Sequence, residues 1–339
     1  MSRFERQILL SGFGIEAQQK LQQARVLVIG AGGLGCPVLL YLAAAGVGCI
    51  DVIDGDLVSL SNLNRQIIFS EKDVNKPKAE VAAAYLREKY SDIRIGAIMS
   101  FLTPDNIFQT ISDYDLVLDG TDNFETRYMV NDACVLLNKP LVFGAIYKNE
   151  GQVSVFNVAD KHGVRTNYRD VFPQMPSPHE IPNCSETGVL GVLPGMIGMH
   201  MATQTIKLIT GYGALLVNKM LIYNLLFNSS YEIDISPNEA AQKNLPKTRD
   251  AFYKMDYKIA CASFDIDSNW EEVLVAKMQA PENILLIDSR EPYEEPKLED
   301  IACIELPFDQ VLKTSNRFGH FHTIFVFCQF GIRSRFIVM

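Results

Sequence analysis

The sequence predicts an α/β fold with a mostly parallel sheet, followed by a second, smaller α/β unit. Short apolar runs of β type alternate with helical patterns as far as about residue 158. Such alternation produces right-handed crossovers between parallel strands. Further along, a proline-rich stretch at 159–183 and a polar stretch at 236–262 interrupt the pattern. We therefore expect a first domain at 1–235, a linker at 236–262 and a smaller domain at 263–339.

The elements of the first domain follow from these runs in order. Strands are predicted at 25–29, 49–53, 93–99, 116–118 and 141–143, where aliphatic and β-branched residues dominate. Helices are predicted at 34–45, 77–90 and 127–137, and a helix at about 195–210 and a strand at 219–227 close the domain. Pro77 suits the first turn of its helix, because N–H groups there have no intrahelical partner. In the smaller domain, strands are predicted at 284–287 and 323–327.

Composition and charge argue against several classes of protein. The chain of 339 residues is 48% hydrophobic and has a formal net charge of −9, whereas phosphate-backbone binding needs a basic surface. The most apolar stretch, 188–209, contains proline, lysine and several glycines, and we interpret it as a buried segment instead of a membrane span. The seven cysteines are irregularly spaced, and no basic and apolar leader opens the sequence. We expect a cytoplasmic protein without nucleic-acid or membrane partners.

A glycine-rich turn follows the first predicted strand. Gly30, Gly32 and Gly35 fit the spacing G-x-G-x-x-G, which permits a tight turn and brings phosphate close to the N–H groups at the start of a helix. Asp54 ends the second strand, where an acid accepts hydrogen bonds from a ribose. The pattern predicts a Rossmann-like nucleotide-binding domain. A turn that serves packing alone is the alternative, and an NAD-dependent oxidoreductase is supported by these residues only.

Three charged residues favour a triphosphate over a nicotinamide dinucleotide. Arg65 in S-N-L-N-R-Q and Lys78 in K-P-K follow Asp54. Hydride transfer needs no such cations, whereas cleavage of a triphosphate requires neutralisation of the charge that develops on its oxygens. Asp122 in D-G-T-D-N follows a strand at the same carboxyl edge of the sheet and suits Mg²⁺ as an oxygen ligand. The alternative makes the cations solvated surface charges and Asp122 a helix N-cap.

These motifs together resemble those of the MoeB/ThiF/HesA family, bacterial relatives of the ubiquitin-activating enzymes. The resemblance spans residues 1–227 and includes R-F-x-R-Q-I, G-x-G-G-L-G, S-N-L-x-R-Q, K-P-K and D-x-T-D-N. It implies a homodimer that uses ATP to adenylate the C-terminal Gly-Gly of a ubiquitin-like sulfur carrier protein, in molybdopterin or thiamine biosynthesis. A carboxylate nucleophile is already ionised, so positioning and electrostatics can supply the catalysis. A non-catalytic scaffold dimer of the same fold is the alternative.

The resemblance also implies roles for individual residues. Asp54 is expected at the ribose, Asn62, Arg65 and Lys78 at the phosphates, and Asp122 at Mg²⁺. Other residues expected around the nucleotide are Gly30, Gly32, Gly33, Gly35, Asp56, Gln66 and Asn123. Arg6 is expected to reach across a two-fold axis into the partner's site, with a surface ion pair as the alternative.

Cysteines separate this chain from the family pattern. Cys184, in N-C-S-E-T-G, lies where the resemblance implies a cysteine able to bond covalently to the carrier or to a sulfur intermediate; a buried thiol is the alternative. The resemblance also implies a structural zinc held by two C-x-x-C pairs. The first pair would fall at 167–170, which reads N-Y-R-D, and no cysteine lies between Cys184 and Cys261. We expect no zinc, and expect packing or hydrogen bonds to hold the proline-rich stretch.

The smaller domain resembles a single-domain rhodanese. D-S-R-E-P follows one predicted strand, and Cys328 opens C-Q-F-G-I-R-S after another. The resemblance implies that inward-pointing N–H groups and Arg333 lower the pKa of this thiol and stabilise a persulfide. Cys328 is thus the expected sulfur-carrying residue. Because the segment between the motifs is degraded and Met339 follows soon after Arg333, we expect a truncated unit and leave its activity open.

Overall fold

The structure, a computed structural model, describes the chain in segments. The described residues are 3–175, 188–257, 270–279, 282–290, 301–307, 310–311, 318, 321, 323–328 and 334. They belong to two compact units, Met1–Ile259 and Ala260–Met339, and each unit has its own sheet. In the part of the chain so described, no helix has both the length and the apolar character that crossing a membrane requires.

An eight-stranded sheet forms the centre of the first unit. Its strands are β1 (Arg25–Ile29), β2 (Cys49–Ile53), β3 (Arg94–Ile98), β4 (Leu116–Asp119), β5 (Leu141–Tyr147), β6 (Glu150–Phe156), β7 (Lys219–Asn224) and β8 (Ser229–Asp234). Their order across the sheet is β3-β2-β1-β4-β5-β6-β7-β8. The five strands from β3 to β5 in this order are parallel to one another. The strands β6, β7 and β8 are each antiparallel to their neighbours. The mostly parallel sheet that the sequence predicts is confirmed.

Helices cover both faces of this sheet. They are α1 (Glu5–Ile8), α2 (Gly14–Gln23), α3 (Gly35–Ala45), α4 (Lys78–Lys89), α5 (Ile107–Ser112), α6 (Phe124–Leu136), α7 (Tyr168–Val171), α8 (Val192–Thr210), α9 (Glu239–Asn244) and α10 (Arg249–Tyr253). Successive residues of a strand point to opposite faces. Val26 and Val28 of β1 accordingly join an apolar cluster with α3, α4 and α8, whereas Leu27 and Ile29 join one with α5 and α6. A strand buried on both faces reads as a continuous apolar run, as β1 does after Arg25.

The antiparallel part of the sheet departs from the sequence-based expectation. The strands β6 and β8 are not predicted, and β5 continues to Tyr147. Every residue of β8 is exposed, so its sequence, S-S-Y-E-I-D, carries no buried apolar face that would mark a strand. Pairing with β7 fixes it in the sheet instead.

The segment expected as a linker is part of the first unit. Residues 236–257 contain α9 and α10, and the side chains of Phe252 and Tyr257 are buried in the same apolar cluster as α5 and α6. The first unit therefore extends to Ile259, further than residue 235. Two aromatic side chains in an otherwise polar stretch are the physical reason, because each buries a large apolar area.

The second unit contains a small parallel sheet. Its strands β9 (Ile284–Asp288), β10 (Ile304–Glu305) and β11 (Thr323–Phe327) are ordered β10-β9-β11, and α11 (Trp270–Gln279) precedes them. The two strands predicted at 284–287 and 323–327 are confirmed. Leu285, Ile287 and Val311 form its buried apolar cluster.

Candidate active site

A cavity of about 270 Å³ opens at the carboxyl edge of the parallel strands of the first unit. Ligands bind at this edge in open α/β sheets, where the strand order reverses. The order β2-β1-β4 places that reversal beside β1. The predicted residues that line the cavity are Gly30, Gly32, Gly33, Asp54, Asp56, Arg65, Gln66, Lys78, Asp122 and Asn123. The structure thus brings these predicted nucleotide-binding residues together from five separate segments of the chain.

Two glycines determine the shape of the turn after β1. Gly30 has a φ of +91°, in the left-handed region, and a Cβ atom there would lie 3.3 Å from the carbonyl oxygen of Gly120. A Cβ atom on Gly35 would lie 1.9 Å from the carbonyl oxygen of Gly30. Gly35 is not among the residues that line the cavity, so its contribution is to let α3 start directly against the turn.

Asp54 joins this turn to the end of β2. Its Oδ2 accepts a hydrogen bond from the N–H of Ala31 and its Oδ1 accepts one from the N–H of Asp56, both at 2.8 Å. Burial raises the pKa of Asp54, and the two N–H donors and Lys78 oppose that shift. The carboxylate is therefore held in one orientation at the wall of the cavity.

Two cations face the cavity from the segment that follows β2. The Nζ atom of Lys78 lies 2.9 Å from Oδ2 of Asp56, and the lysine side chain is 8% exposed while that of Asp56 is 54% exposed. Arg65 donates from Nη1 to the carbonyl oxygen of Ser61 and to Oδ1 of Asn64, both at 3.1 Å. These contacts leave other guanidinium N–H groups for a ligand, because an arginine has five donors.

Asn62 holds the backbone of Arg65 and of the buried Gln66. Asn62 does not line the cavity; its carbonyl oxygen accepts from the N–H groups of Arg65 and Gln66, at 3.1 and 2.9 Å. Gln66 is 4% exposed, and its Oε1 atom is buried without a hydrogen-bond partner among the described residues. A buried carbonyl oxygen of this kind costs free energy unless a ligand or water donates to it.

The strand β4 supplies the acidic side of the cavity. Asp122 is exposed and lines the cavity, whereas the N-cap of α6 is Asn123, whose Oδ1 accepts from the N–H of Thr126 at 2.8 Å. The N-cap interpretation of Asp122 is therefore wrong, since the neighbouring residue has that role. A carboxylate that lines the same cavity as the two cations fits a divalent ion bound between it and a polyphosphate.

Sequence reasoning missed Arg127 and Asp119. Arg127 lines the cavity, is 7% exposed and donates from Nη2 to the carbonyl oxygen of Thr121 at 2.7 Å. Oδ1 of Asp119 accepts from the N–H and Oγ1–H of Thr121, at 2.9 and 2.7 Å. Burial raises the pKa of Asp119, and Arg127 is the first of the groups that oppose it. The signal in the sequence was an arginine at the fourth position of the helix that begins directly after T-D-N.

Comparison with known proteins agrees with this geometry. Residues 4–244, more than half of the chain, match the ThiF family. The chain belongs to the ThiF family.

Named relatives in that family include enzymes of sulfur transfer. The chain is 46% identical over 243 residues to a probable adenylyltransferase/sulfurtransferase MoeZ of Mycobacterium tuberculosis, covering 72% of this chain and 62% of the relative. It is 46% identical over 239 residues to a sulfur carrier protein adenylyltransferase of Thermus thermophilus, covering 70% and 88%. It is 38% identical over 325 residues to the adenylyltransferase and sulfurtransferase MOCS3 of Aedes aegypti, covering 92% and 74%. The chain thus spans less than two thirds of the length of MoeZ.

Solved structures show the same fold. Escherichia coli MccB with ATP superposes with a TM-score of 0.61 at 23% identity, covering 71% of this chain and 75% of that chain. MccB with AMPCPP and selenomethionine MccA gives a TM-score of 0.62 at 24% identity, covering 70% and 73%.

The remaining predicted site residues of this ThiF-family chain lie elsewhere. Arg6 is exposed on α1 and does not line the cavity. Cys184 and Arg333 lie outside the described residues. Cys328 follows β11, and its Sγ atom accepts from the N–H of Ser334 at 3.4 Å and lies 3.6 Å from its Oγ atom. Ser334 thus contacts the sulfur through its backbone and its side chain.

The residues in place of the first C-x-x-C pair do not fit a zinc site. Asn167 is the N-cap of α7, and Oδ2 of Asp170 accepts from its N–H and Nδ2, both at 2.8 Å. The other oxygen of Asp170, Oδ1, accepts from the N–H of Asn238 at 2.8 Å. Arg169 contributes a cation, which a Zn²⁺ site excludes, and thiolates, the ligands of such sites, are missing from 167–170. We refer to the network of hydrogen bonds and ion pairing that joins 167–170, Asp132, Asn238 and Tyr257 as the α7 clasp.

Proposed function

We propose that this protein is an ATP-dependent adenylyltransferase that activates the C-terminal carboxylate of a ubiquitin-like sulfur carrier protein ending in Gly-Gly. The observation that carries the proposal is the convergence of Arg65, Lys78 and Asp122 with the glycine turn on one cavity. Cations, a metal-binding carboxylate and free N–H groups at a helix start are the groups that a triphosphate requires. A hydride-transferring enzyme would leave the two cations without a role.

The phosphate groups would bind at the glycine turn. The turn from Gly30 to Leu34 lines the cavity at the start of α3, where the helix dipole favours negative charge. Arg65 offers a planar fork for two phosphate oxygens, and Lys78 offers a point charge. Before the nucleotide binds, Asp56 forms an ion pair with Lys78, so the buried ammonium group has a partner in the free protein as well.

Asp122 would hold Mg²⁺, which supplies further neutralisation of the triphosphate when it is bound. The donor set fits, because a carboxylate on a solvent-open wall leaves room for the waters and phosphate oxygens that complete an octahedral Mg²⁺ shell. Asp119 does not take this role, since it is 1% exposed and bound to Thr121.

The reaction needs no general base. The ionised carboxylate of the carrier attacks the α-phosphorus of ATP, a new C–O–P bond forms, and the bond to the bridging oxygen breaks to release pyrophosphate. Arg65 and Lys78 stabilise the charge that develops on the transferring and leaving oxygens. The protein's contribution is orientation of the two reactants and this electrostatic stabilisation.

We infer a homodimer in which Arg6 reaches the cavity of the partner. In the chain itself Arg6 is exposed and lies away from the cavity, and its neighbours Leu9 and Leu10 expose 74% and 49% of their surface. Ile15, at the start of α2, is 61% exposed. Apolar side chains at this density beside a cation favour an interface over a solvated surface.

For the second unit we propose a rhodanese-like role in which Cys328 carries sulfur as a persulfide. The hydrogen bond from the N–H of Ser334 to Sγ supports it, because an N–H that donates to the sulfur stabilises the thiolate over the thiol. We also propose a cytoplasmic location, in keeping with the free, buried Cys36, Cys49 and Cys134.

The proposal is tested by exchange of radiolabelled pyrophosphate into ATP in the presence of a Gly-Gly carrier. Wild-type protein should catalyse exchange, and Arg65→Ala and Lys78→Ala should each reduce it at least 100-fold. Lys76→Ala is the matched control, because Lys76 is an exposed lysine two residues away that pairs with Asp73. No exchange with carriers of the molybdopterin type or of the thiamine type would refute the proposal, and the carrier that works identifies the pathway. Thermal stabilisation by NADH but not by MgATP would favour the oxidoreductase.

A further inference from the structure

One large aromatic side chain on the cavity wall has no role in the site described above. Phe101 lines the cavity together with Leu102, yet 61% of its surface is exposed. Single exposed apolar residues are common on proteins, but this one lies on the rim of the ligand cavity and belongs to no recognised motif.

The backbone of Phe101 is fixed. Its carbonyl oxygen accepts a hydrogen bond from Nδ2 of Asn106 at 2.9 Å, and Oδ1 of the same asparagine accepts from the N–H of Thr103 at 2.9 Å. Asn106 thereby ties both sides of the loop between β3 and α5. Because these hydrogen bonds fix the loop, the ring of Phe101 has a defined place at the cavity. Less conformational entropy of the loop is then lost when a ligand contacts the ring.

The ring packs on Gly55, between the two acids of the cavity wall. A Cβ atom on Gly55 would lie 2.6–2.7 Å from three of the ring carbons, so only glycine permits this contact. The residues before and after Gly55 are Asp54, which holds the glycine turn, and Asp56, which pairs with Lys78. Phe101 therefore lies next to the groups that we assign to the ribose and phosphates.

The order of strands gives the direction in which a nucleotide lies. The glycine turn follows β1, Asp54 follows β2 and Phe101 comes after β3, and these three strands are consecutive neighbours in the sheet. Neighbouring strands are about 4.8 Å apart, which is close to the spacing of phosphate, sugar and base along a nucleotide. With the phosphates at β1 and the ribose at β2, the base reaches the end of β3.

The character of the wall changes in the same direction. The cations Arg65 and Lys78 serve the phosphate end, whereas the wall near β3 has no charged side chain among its described residues after the strand and includes the apolar Phe101 and Leu102 beside Ser100. A base is a flat π-system, and it binds aromatic rings by offset stacking.

We propose that Phe101 is the platform on which the base of the nucleotide stacks. The assignment rests on the proposed use of ATP and adds the residue that binds the base to those that bind phosphate and ribose. Because every base has a π-face, stacking contributes affinity and does not by itself select adenine.

The experiment compares two probes that differ in the base. Binding of MgATP and of inorganic triphosphate with Mg²⁺ is measured by calorimetry on the full chain. Phe101→Ala should weaken MgATP binding about tenfold to 100-fold, the range for loss of one base–aromatic stack, and should leave triphosphate binding within about twofold. Phe101→Tyr should bind MgATP like wild type. Met99→Ala is the matched control, since Met99 is 60% exposed in the same loop region and does not line the cavity.

The variant Phe101→Leu separates stacking from packing. Leucine keeps apolar bulk over Gly55 but lacks the π-system, so it should lose MgATP affinity as alanine does while keeping the melting temperature of wild type. It also serves as the test if the alanine variant does not fold. If wild type binds MgATP and Phe101→Leu binds it equally well, Phe101 is not a base platform. If wild type does not bind MgATP at all, the proposed function itself is wrong.

Discussion

Arg169 and Asp132 form a bidentate ion pair in the interior of the first unit. Nε and Nη2 of the arginine donate to Oδ1 and Oδ2 of the aspartate, each at 2.7 Å, and the two side chains are 4% and 0% exposed. The hydroxyl of Tyr257 donates to Oδ2 of Asp132 at 2.9 Å. These residues lie on α7, on α6 and beyond α10. The α7 clasp thus connects elements far apart in the chain where the family resemblance implies a metal.

Removal of divalent metal should leave the stability of this protein unchanged. The α7 clasp consists of hydrogen bonds and an ion pair whose acceptors are already occupied, so no ion is needed to hold it. Differential scanning calorimetry after dialysis against a strong zinc chelator should give the melting temperature of the untreated protein. A fall of more than a few degrees that added zinc reverses would contradict this expectation. Bound metal measured by elemental analysis provides the independent check.

Breaking the ion pair from one side should be costly. Arg169→Met leaves the carboxylate of Asp132 buried without its cation, a change that typically destabilises by about 3–5 kcal/mol. The double variant Arg169→Met with Asp132→Leu removes both charges and should recover much of that loss, since apolar residues of similar size often replace a buried pair without penalty. Urea unfolding of Arg169→Met, of Asp132→Leu and of the double variant measures the difference. Equal instability of the single and double variants would show that the pair itself is not responsible.

Arg127 should matter for catalysis through the position of Asp122. It holds the carbonyl oxygen of Thr121, the residue before Asp122, and its charge lies beside the buried Asp119. Arg127→Leu should lower the rate of pyrophosphate exchange about tenfold or more, whereas Arg127→Lys should restore part of it because it keeps the positive charge. The Mg²⁺ concentration needed for half-maximal exchange should rise with Arg127→Leu. A loss of rate without any change in that concentration would mean that Arg127 does not act through Asp122.

Local motifs predict a large part of this site, whereas the rest depends on long-range contacts that the sequence does not reveal. The glycine turn and Asp54 are recognisable because their spacing follows from backbone geometry within one strand–turn–helix unit. The proximity of Arg65, Lys78 and Asp122 could be predicted because the carboxyl ends of parallel strands lie at one edge of the sheet. The clasp could not be predicted, since Arg169 and Asp132 are 37 positions apart and Tyr257 is 125 positions from Asp132. Phe101 likewise follows no motif, and only the strand order places it beside the ribose.

The thiol of Cys36 should make the protein sensitive to alkaline pH. Cys36 lies in α3, buried against the glycine turn, and its Sγ–H donates to the carbonyl oxygen of Ala31 at 3.4 Å. Burial raises the pKa of this thiol from 9.0 to about 12. A raised pKa in the folded state means that the native protein keeps a proton that the unfolded chain loses. The stability that depends on this proton is complete below pH 9 and is lost progressively as the pH rises toward 12.

Each pH unit above 9 should therefore cost about 1.4 kcal/mol from this group, or about 2 kcal/mol at pH 10.5. Cys36→Ala has no thiol to ionise, so the slope of its free energy of unfolding against pH should be smaller by this amount. Other buried groups with raised pKa, such as Cys134, affect both proteins equally and cancel in the comparison. The free energies are obtained from urea unfolding between pH 8 and about pH 11. Parallel curves for the two proteins would show that Cys36 titrates normally and that the turn is open to water beside it.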